Sequence, residues 1–186
     1  MHTNSELFHK KYRVETARSQ SIDYDEGEFF VTFCTKYRNL YLGIIEDDVM
    51  YLSCIGAFLD AQIRNIKKSF PFVDVVAYTI MPNHAHILLT LDGSHKHVRV
   101  DKSQVDKDMR DISHCKSNLS NVIGRIKSEV TKFANRHKLS FGWQPRFYDS
   151  KVFDMDFHDN VLNYTISNVL NWKGDRFHPD NDDGQF

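Results

Sequence analysis

The sequence predicts an α+β domain: an antiparallel sheet of the ferredoxin-like, split βαβ type, carrying helices and one added C-terminal helix. Three observations predict it. Two strand-like runs, "VDVVAYTI" (73–80) and "HAHILLTL" (84–91), are joined only by the turn "MPN". Two segments with apolar residues at helical spacing flank this pair, one before it and one after it. A further strand-like run precedes the first helix and another follows the second, so the order is β-α-β-β-α-β-α.

Each element follows from local residue chemistry. Residues 1–24 are polar, carry Lys10, Lys11, Arg13 and Arg18, and read as an N-terminal arm. "EFFVTFCT" (28–35) is β-branched and aromatic, hence a strand. In "LSCIGAFLDAQIRNIKKSF", Leu52, Ile55, Leu59, Ile63 and Ile66 recur at helical spacing, and Ser53 is a suitable N-cap. Residues 73–80 are apolar on both faces, which suits a central strand. The polar, mixed-charge stretch 93–117 reads as a long exposed loop.

"LSNVIGRIKSEVTKFANRH" (119–137) is the clearest helix. Its buried stripe is Leu119, Val122, Ile123, Ile126, Val130 and Phe133, with Arg125, Lys127, Lys132 and Arg136 outside it. "RFYDSKVF" (146–153) is the fourth strand of the sheet. Asp154 or Asp156 then caps a last helix, "FHDNVLNYTISNVLNW". The predicted domain spans 25–176, and an acidic tail, 177–186, closes the chain.

Composition bounds the function. A hydrophobic content of 41% over 186 residues supplies one sizeable core. The net charge of -1 and the pI of about 6.8 do not mark a nucleic-acid binder by themselves. The three cysteines, Cys34, Cys54 and Cys115, form neither a disulfide framework nor a zinc knuckle, so a reducing compartment, the cytoplasm, is expected. "MHTNSELFHKKYRVE" has no apolar centre to serve as a signal peptide. The apolar stretch 73–91 is interrupted by Pro82, Asn83, His84 and His86, so no membrane partner is expected.

Two local patterns invite chemistry. His84 and His86 lie two apart on a strand and share a face, with Ala85, Ile87, Leu89 and Leu91 on the other. They are either two polar residues that happen to coincide or two metal ligands. On the last helix, Tyr164 and Asn168 are i and i+4, with Phe157 and Val161 on their stripe. A neighbouring stripe of Leu162, Ile166 and Val169 is expected to face the core. Spacing alone leaves Tyr164 a border tyrosine and Asn168 a polar surface residue.

Longer blocks go further. "YDEGEFFVTFCTKYR" (24–38), "VAYTIMPNHAHILL" (76–89), "LSNVIGRIKSEVTKFAN" (119–135), "WQPRFYDSKVF" (143–153) and "YTISNVLNWKGDRF" (164–177) resemble, in order and spacing, the HUH, one-tyrosine type of single-strand DNA transposase. The similarity is greatest to the REP-associated tyrosine transposases, and it covers roughly residues 10–176. The resemblance implies cleavage and rejoining of hairpin-bearing single-stranded DNA through a covalent tyrosine–DNA link. Carried over by position, His84 and His86 become metal ligands, Tyr164 the nucleophile and Asn168 the third ligand. The chain departs from the family at Asn168-Val169, where Asn-Pro is usual. It departs again at Val152-Phe153, where an Ile-Arg pair is common, which leaves one phosphate contact of the family in doubt here.

That chemistry needs these residue types. A tyrosine hydroxyl, with an ordinary pKa of about 10, is a poor nucleophile unless a divalent cation polarises the phosphate. Two imidazoles and an amide oxygen suit Mg²⁺ or Mn²⁺ better than zinc. Single strands are gripped by stacking and phosphate contacts, for which Tyr12, Arg13, Arg18, Tyr24, Lys36, Arg38, Arg125, Lys127 and Arg146 are candidates. A second copy of the chain is a further candidate partner. Two rival readings use the same fold: a non-catalytic nucleic-acid-binding module, and a metal-dependent hydrolase in which a bound water replaces the tyrosine.

Overall fold

The structure, a computed structural model, describes residues 22–95 and 117–181. Most of the expected arm, with Tyr12, Arg13 and Arg18, lies outside the described residues, as do 96–116 of the expected loop and 182–186 of the tail. Among the described residues there are six strands: β1 (Glu26–Cys34), β2 (Gly43–Glu46), β3 (Val49–Leu52), β4 (Val73–Met81), β5 (His84–Asp92) and β6 (Tyr148–Val152). The helices are α1 (Cys54–Arg64), the short α2 (Ile66–Ser69), α3 (Asn118–Arg136) and α4 (Met155–Ser167).

The main sheet has the order β4-β5-β1-β6, and every pairing in it is antiparallel. This is the predicted split βαβ arrangement. The small β2–β3 hairpin was not anticipated from the sequence. Its two turn residues, Asp47 and Asp48, both have positive φ, as a type I′ turn requires. Asp-Asp is a weaker signal for that turn than Asn-Gly.

The sheet has two unlike faces. On one, Phe29, Val31, Phe33, Ala85, Ile87, Leu89 and Leu91 pack with α1 and α3 into the core. Helix α1 starts where expected, with Ser53 accepting from the Gly56 amide. The predicted stripe of α3 is buried from Leu119 to Val130. Phe133 is only partly buried, stacked on Phe58 at 4.2 Å.

Helix α4 lies on the opposite face, capped by Asp154, which accepts from Phe157 N. Here the expectation is corrected. The residues of α4 and its C-cap that turn inward are Val161, Thr165 and Asn168, whereas Ile166 is 69% exposed. The reason lies beneath the helix. This face of the sheet presents Thr32, Thr79, His84 and His86, all buried. Apolar Met81 and Leu88, both fully buried, share this face with them, and over this mixed floor Ile166 turns outward while Leu162 and Val169 are half-buried.

Candidate functional site

Strand alternation places both histidines under α4. Each ring is held by a neighbour. His84 Nδ1 is 2.8 Å from Asn83 Oδ1, and His86 Nδ1 is 2.7 Å from Thr32 Oγ1. Asn83 is itself fixed, because its Nδ2 donates to the carbonyls of Phe177 and Arg38. An amide oxygen can only accept, so His84 Nδ1 donates and its Nε2 keeps a free lone pair.

The two Nε2 atoms stand 3.0 Å apart. Two nitrogens about 2.1 Å from one ion and at right angles are separated by about 3.0 Å. The rings are also in the right protonation state. Burial, then the neighbouring His86, holds His84 well below its ordinary pKa. Burial, then the Arg176 charge, lowers His86 to about 3. Neutral imidazoles are what a metal needs.

The third group is Asp175, beyond the end of α4. After Asn168 the chain turns through a 3-10 segment, Trp172–Gly174, and brings Asp175 back to the histidines. Its side chain is 1% exposed, with Oδ2 3.8 Å from His84 Nε2. The Phe177 amide donates to Oδ1 at 2.6 Å. The candidate ligand atoms of His84, His86 and Asp175 lie within 4.8 Å of one another. A closure of roughly half an ångström would place all three on one ion at about 2.1 Å.

Tyr164 meets this cluster from above. Its hydroxyl is 3.5 Å from His86 Nε2 and 3.5 Å from Asp175 Oδ2. Its ring stands edge-on to His86 and Phe30. Burial and then the Asp175 charge raise its pKa, with Arg176 and Asn168 pulling the other way, so the hydroxyl keeps its proton at neutral pH. Asn168 is not the surface amide that spacing alone allowed. It is 1% exposed, and its Nδ2 is buried without a hydrogen-bond partner. A buried donor left so costs about 1–3 kcal/mol.

The expected DNA contacts divide by location. Arg38 is near the site: its guanidinium lies 5.0 Å from the Phe177 ring, and Phe177 packs on His84. Lys36 is exposed in a 3-10 segment, Lys36–Arg38, and Arg146 is exposed in a loop. Arg125 is on α3, across the sheet, paired with Glu129. Lys127 donates to the carbonyls of Gln144 and Arg146, which ties α3 to the 144–146 loop. Tyr24 is a correction: it is buried and stacks on Phe29 in the core, so its ring has no face to offer a base.

Asp175 and Arg176 do not stand out in the sequence as site residues, because they lie at the very end of the predicted domain, next to the acidic tail. The signal was present in Trp172 and Phe177, two large aromatics bracketing the acid. Such residues mark packed chain, and both are buried.

No family model matches the chain. A protein of Haemophilus influenzae without assigned function is 27% identical over 160 residues, which are 83% of this chain and 87% of that protein. The solved structure of a REP-associated tyrosine transposase bound to a REP hairpin superposes with a TM-score of 0.54 at 19% identity, covering 92% of this chain and 88% of that one. The chain has the fold of that REP-associated tyrosine transposase.

Proposed function

We propose that this protein cuts and rejoins single-stranded DNA at hairpin-bearing sites, with Tyr164 as the nucleophile. One observation carries the reading: the Tyr164 hydroxyl sits 3.5 Å from a member of a buried His-His-Asp cluster on each of two sides. The structural neighbour bound to a REP hairpin supports the substrate class.

His84, His86 and Asp175 would hold a divalent cation, Mg²⁺ or Mn²⁺, with the Asn168 amide oxygen as the helix-borne ligand. A cation held there would supply polarisation of the scissile phosphate and charge neutralisation in the transition state. Tyr164 Oη forms a bond to phosphorus, and the P–O bond to one strand end breaks. That end leaves as a hydroxyl, and the phenol proton balances the step. In the return step a strand-end hydroxyl attacks the phosphotyrosine, and the tyrosine takes back a proton. The bond energy is conserved between the two steps, so rejoining needs no ATP.

The test is incubation with hairpin-bearing single-stranded DNA and Mn²⁺, followed by denaturing electrophoresis. The parent is expected to give a denaturation-resistant protein–DNA adduct, and Tyr164→Phe none. Free ends without an adduct would favour the hydrolase. An adduct mapped to Tyr148, the exposed tyrosine on β6, would remove Tyr164 from the role.

A further inference from the structure

Beside Tyr164, on the side away from the sheet's apolar core, is a cavity of about 650 Å³ formed by the end of α4 and the turn after it. Ligand pockets run from about 300 to 1,000 Å³, so it has room for one nucleotide. Its walls carry three kinds of group. Leu170, 65% exposed, offers an apolar surface. Asn168 lines it with a buried amide whose Nδ2 has no partner. Lys173 and Arg176 line it with positive charge, and among the described residues neither is in an ion pair. The Arg176 guanidinium lies over the Phe177 ring at 4.5 Å, and that ring packs on His84 at 4.6 Å, so its charge stands beside the histidine cluster. These groups match a nucleotide part by part: a base face, a base-edge or sugar acceptor, and a phosphate.

We propose that this cavity seats a single deoxynucleotide of the DNA strand adjoining the scissile bond, its phosphate held by Arg176 and Lys173 and an acceptor held by Asn168 Nδ2. The assignment rests on the strand-cleavage reading above, and it makes Arg176 a positioning residue. It also supplies the phosphate contact that Val152-Phe153 cannot make, because Phe153 is apolar and 75% exposed.

Gly174 gives a clean way to block the cavity. It lines the space, and a Cβ built on it meets no atom within 4 Å, so Gly174→Phe should fill the cavity without disturbing the fold. The full chain, without divalent cation, is titrated with each of the four deoxynucleoside 5′-monophosphates, with inorganic phosphate and with deoxynucleosides. Binding is followed by the NMR shifts of the Asn168 side-chain amide and the Gly174 backbone amide. The expected result is saturable movement with the monophosphates, at affinities at least about tenfold above inorganic phosphate or nucleoside. Arg176→Ala should weaken it about tenfold, Arg176→Lys should recover part, and Gly174→Phe should remove it. No saturable movement, or equal movement with inorganic phosphate alone, would overturn the proposal. So would unchanged binding by both Arg176→Ala and Gly174→Phe. Because the titration needs neither metal nor cleavage, nucleotide binding without any covalent adduct would fault the strand-cleavage reading and not the pocket.

Discussion

The two faces of the sheet are made by the same strands and obey different rules. On the α1/α3 face, alternate residues of β1 and β5 are Phe29, Val31, Phe33, Ile87, Leu89 and Leu91, and the helices answer with Leu59, Ile63, Val122 and Ile126. On the α4 face, the intervening residues include Thr32, His84 and His86, and the helix answers with Thr165, Asn168 and, at its rim, Tyr164. The first face is held by removal of apolar surface from water. The second mixes apolar contacts, Met81, Leu88 and Val161 among them, with hydrogen-bonded polar groups whose burial adds little net stability but fixes lone pairs in place. The apolar face therefore builds the platform, and the other face holds the candidate site.

The sharpest way to break this contrast is to damage each face separately. Leu59, fully buried on the apolar face, should cost about 2–5 kcal/mol when cut to alanine. Adduct yield per folded molecule should stay near the parent value. Urea denaturation beside the adduct assay checks this, and a loss of activity in the still-folded variant would mean that the faces are not independent.

Acid should act on the polar face next. Both histidines have folded-state pKa values depressed by burial, His86 to about 3. In the unfolded chain they take up protons below about pH 6.5. Between those values the unfolded state binds more protons, so stability is full above pH 6.5 and falls as pH drops toward 3. Urea midpoints of the metal-free protein at pH 7.5, 6 and 5 should decline in that order, and a flat profile would place the histidines in water. The smallest effect belongs to Ile166, which points outward. Ile166→Ser should move stability by no more than about 0.5 kcal/mol, and a drop of several kcal/mol in thermal or urea unfolding would restore the apolar stripe to the core.

The same contrast explains what could be read in advance. Periodicity located the strands, the stripe of α3 and the Ser53 cap, because on the apolar face burial and sequence pattern are one fact. It failed at α4, where Ile166 of the expected stripe is exposed and Thr165 and Asn168 are inside. Apolar periodicity predicts the buried side of a helix only when the surface beneath it is apolar. The histidine pair was legible because its spacing of two fits a strand. Asp175 was not, since it reaches His84 across 91 positions of sequence through a turn that no local pattern announces. The β2–β3 hairpin was hidden by its Asp47-Asp48 turn. No helix among the described residues is long and apolar enough to cross a membrane.

The most direct test of the central claim, that His84, His86 and Asp175 form one metal centre serving Tyr164, is an equilibrium Mn²⁺ titration followed by electron paramagnetic resonance. The parent and Tyr164→Phe should each bind one ion per chain with the same affinity, since the phenol is needed for attack and not for holding the ion. His84→Ala should abolish the site. Asp175→Asn should weaken it, and more than Asn168→Ala does, because an amide oxygen brings no charge to the ion. Equal Mn²⁺ binding by the parent, His84→Ala and Asp175→Asn, or no saturable binding by the parent, would contradict the account.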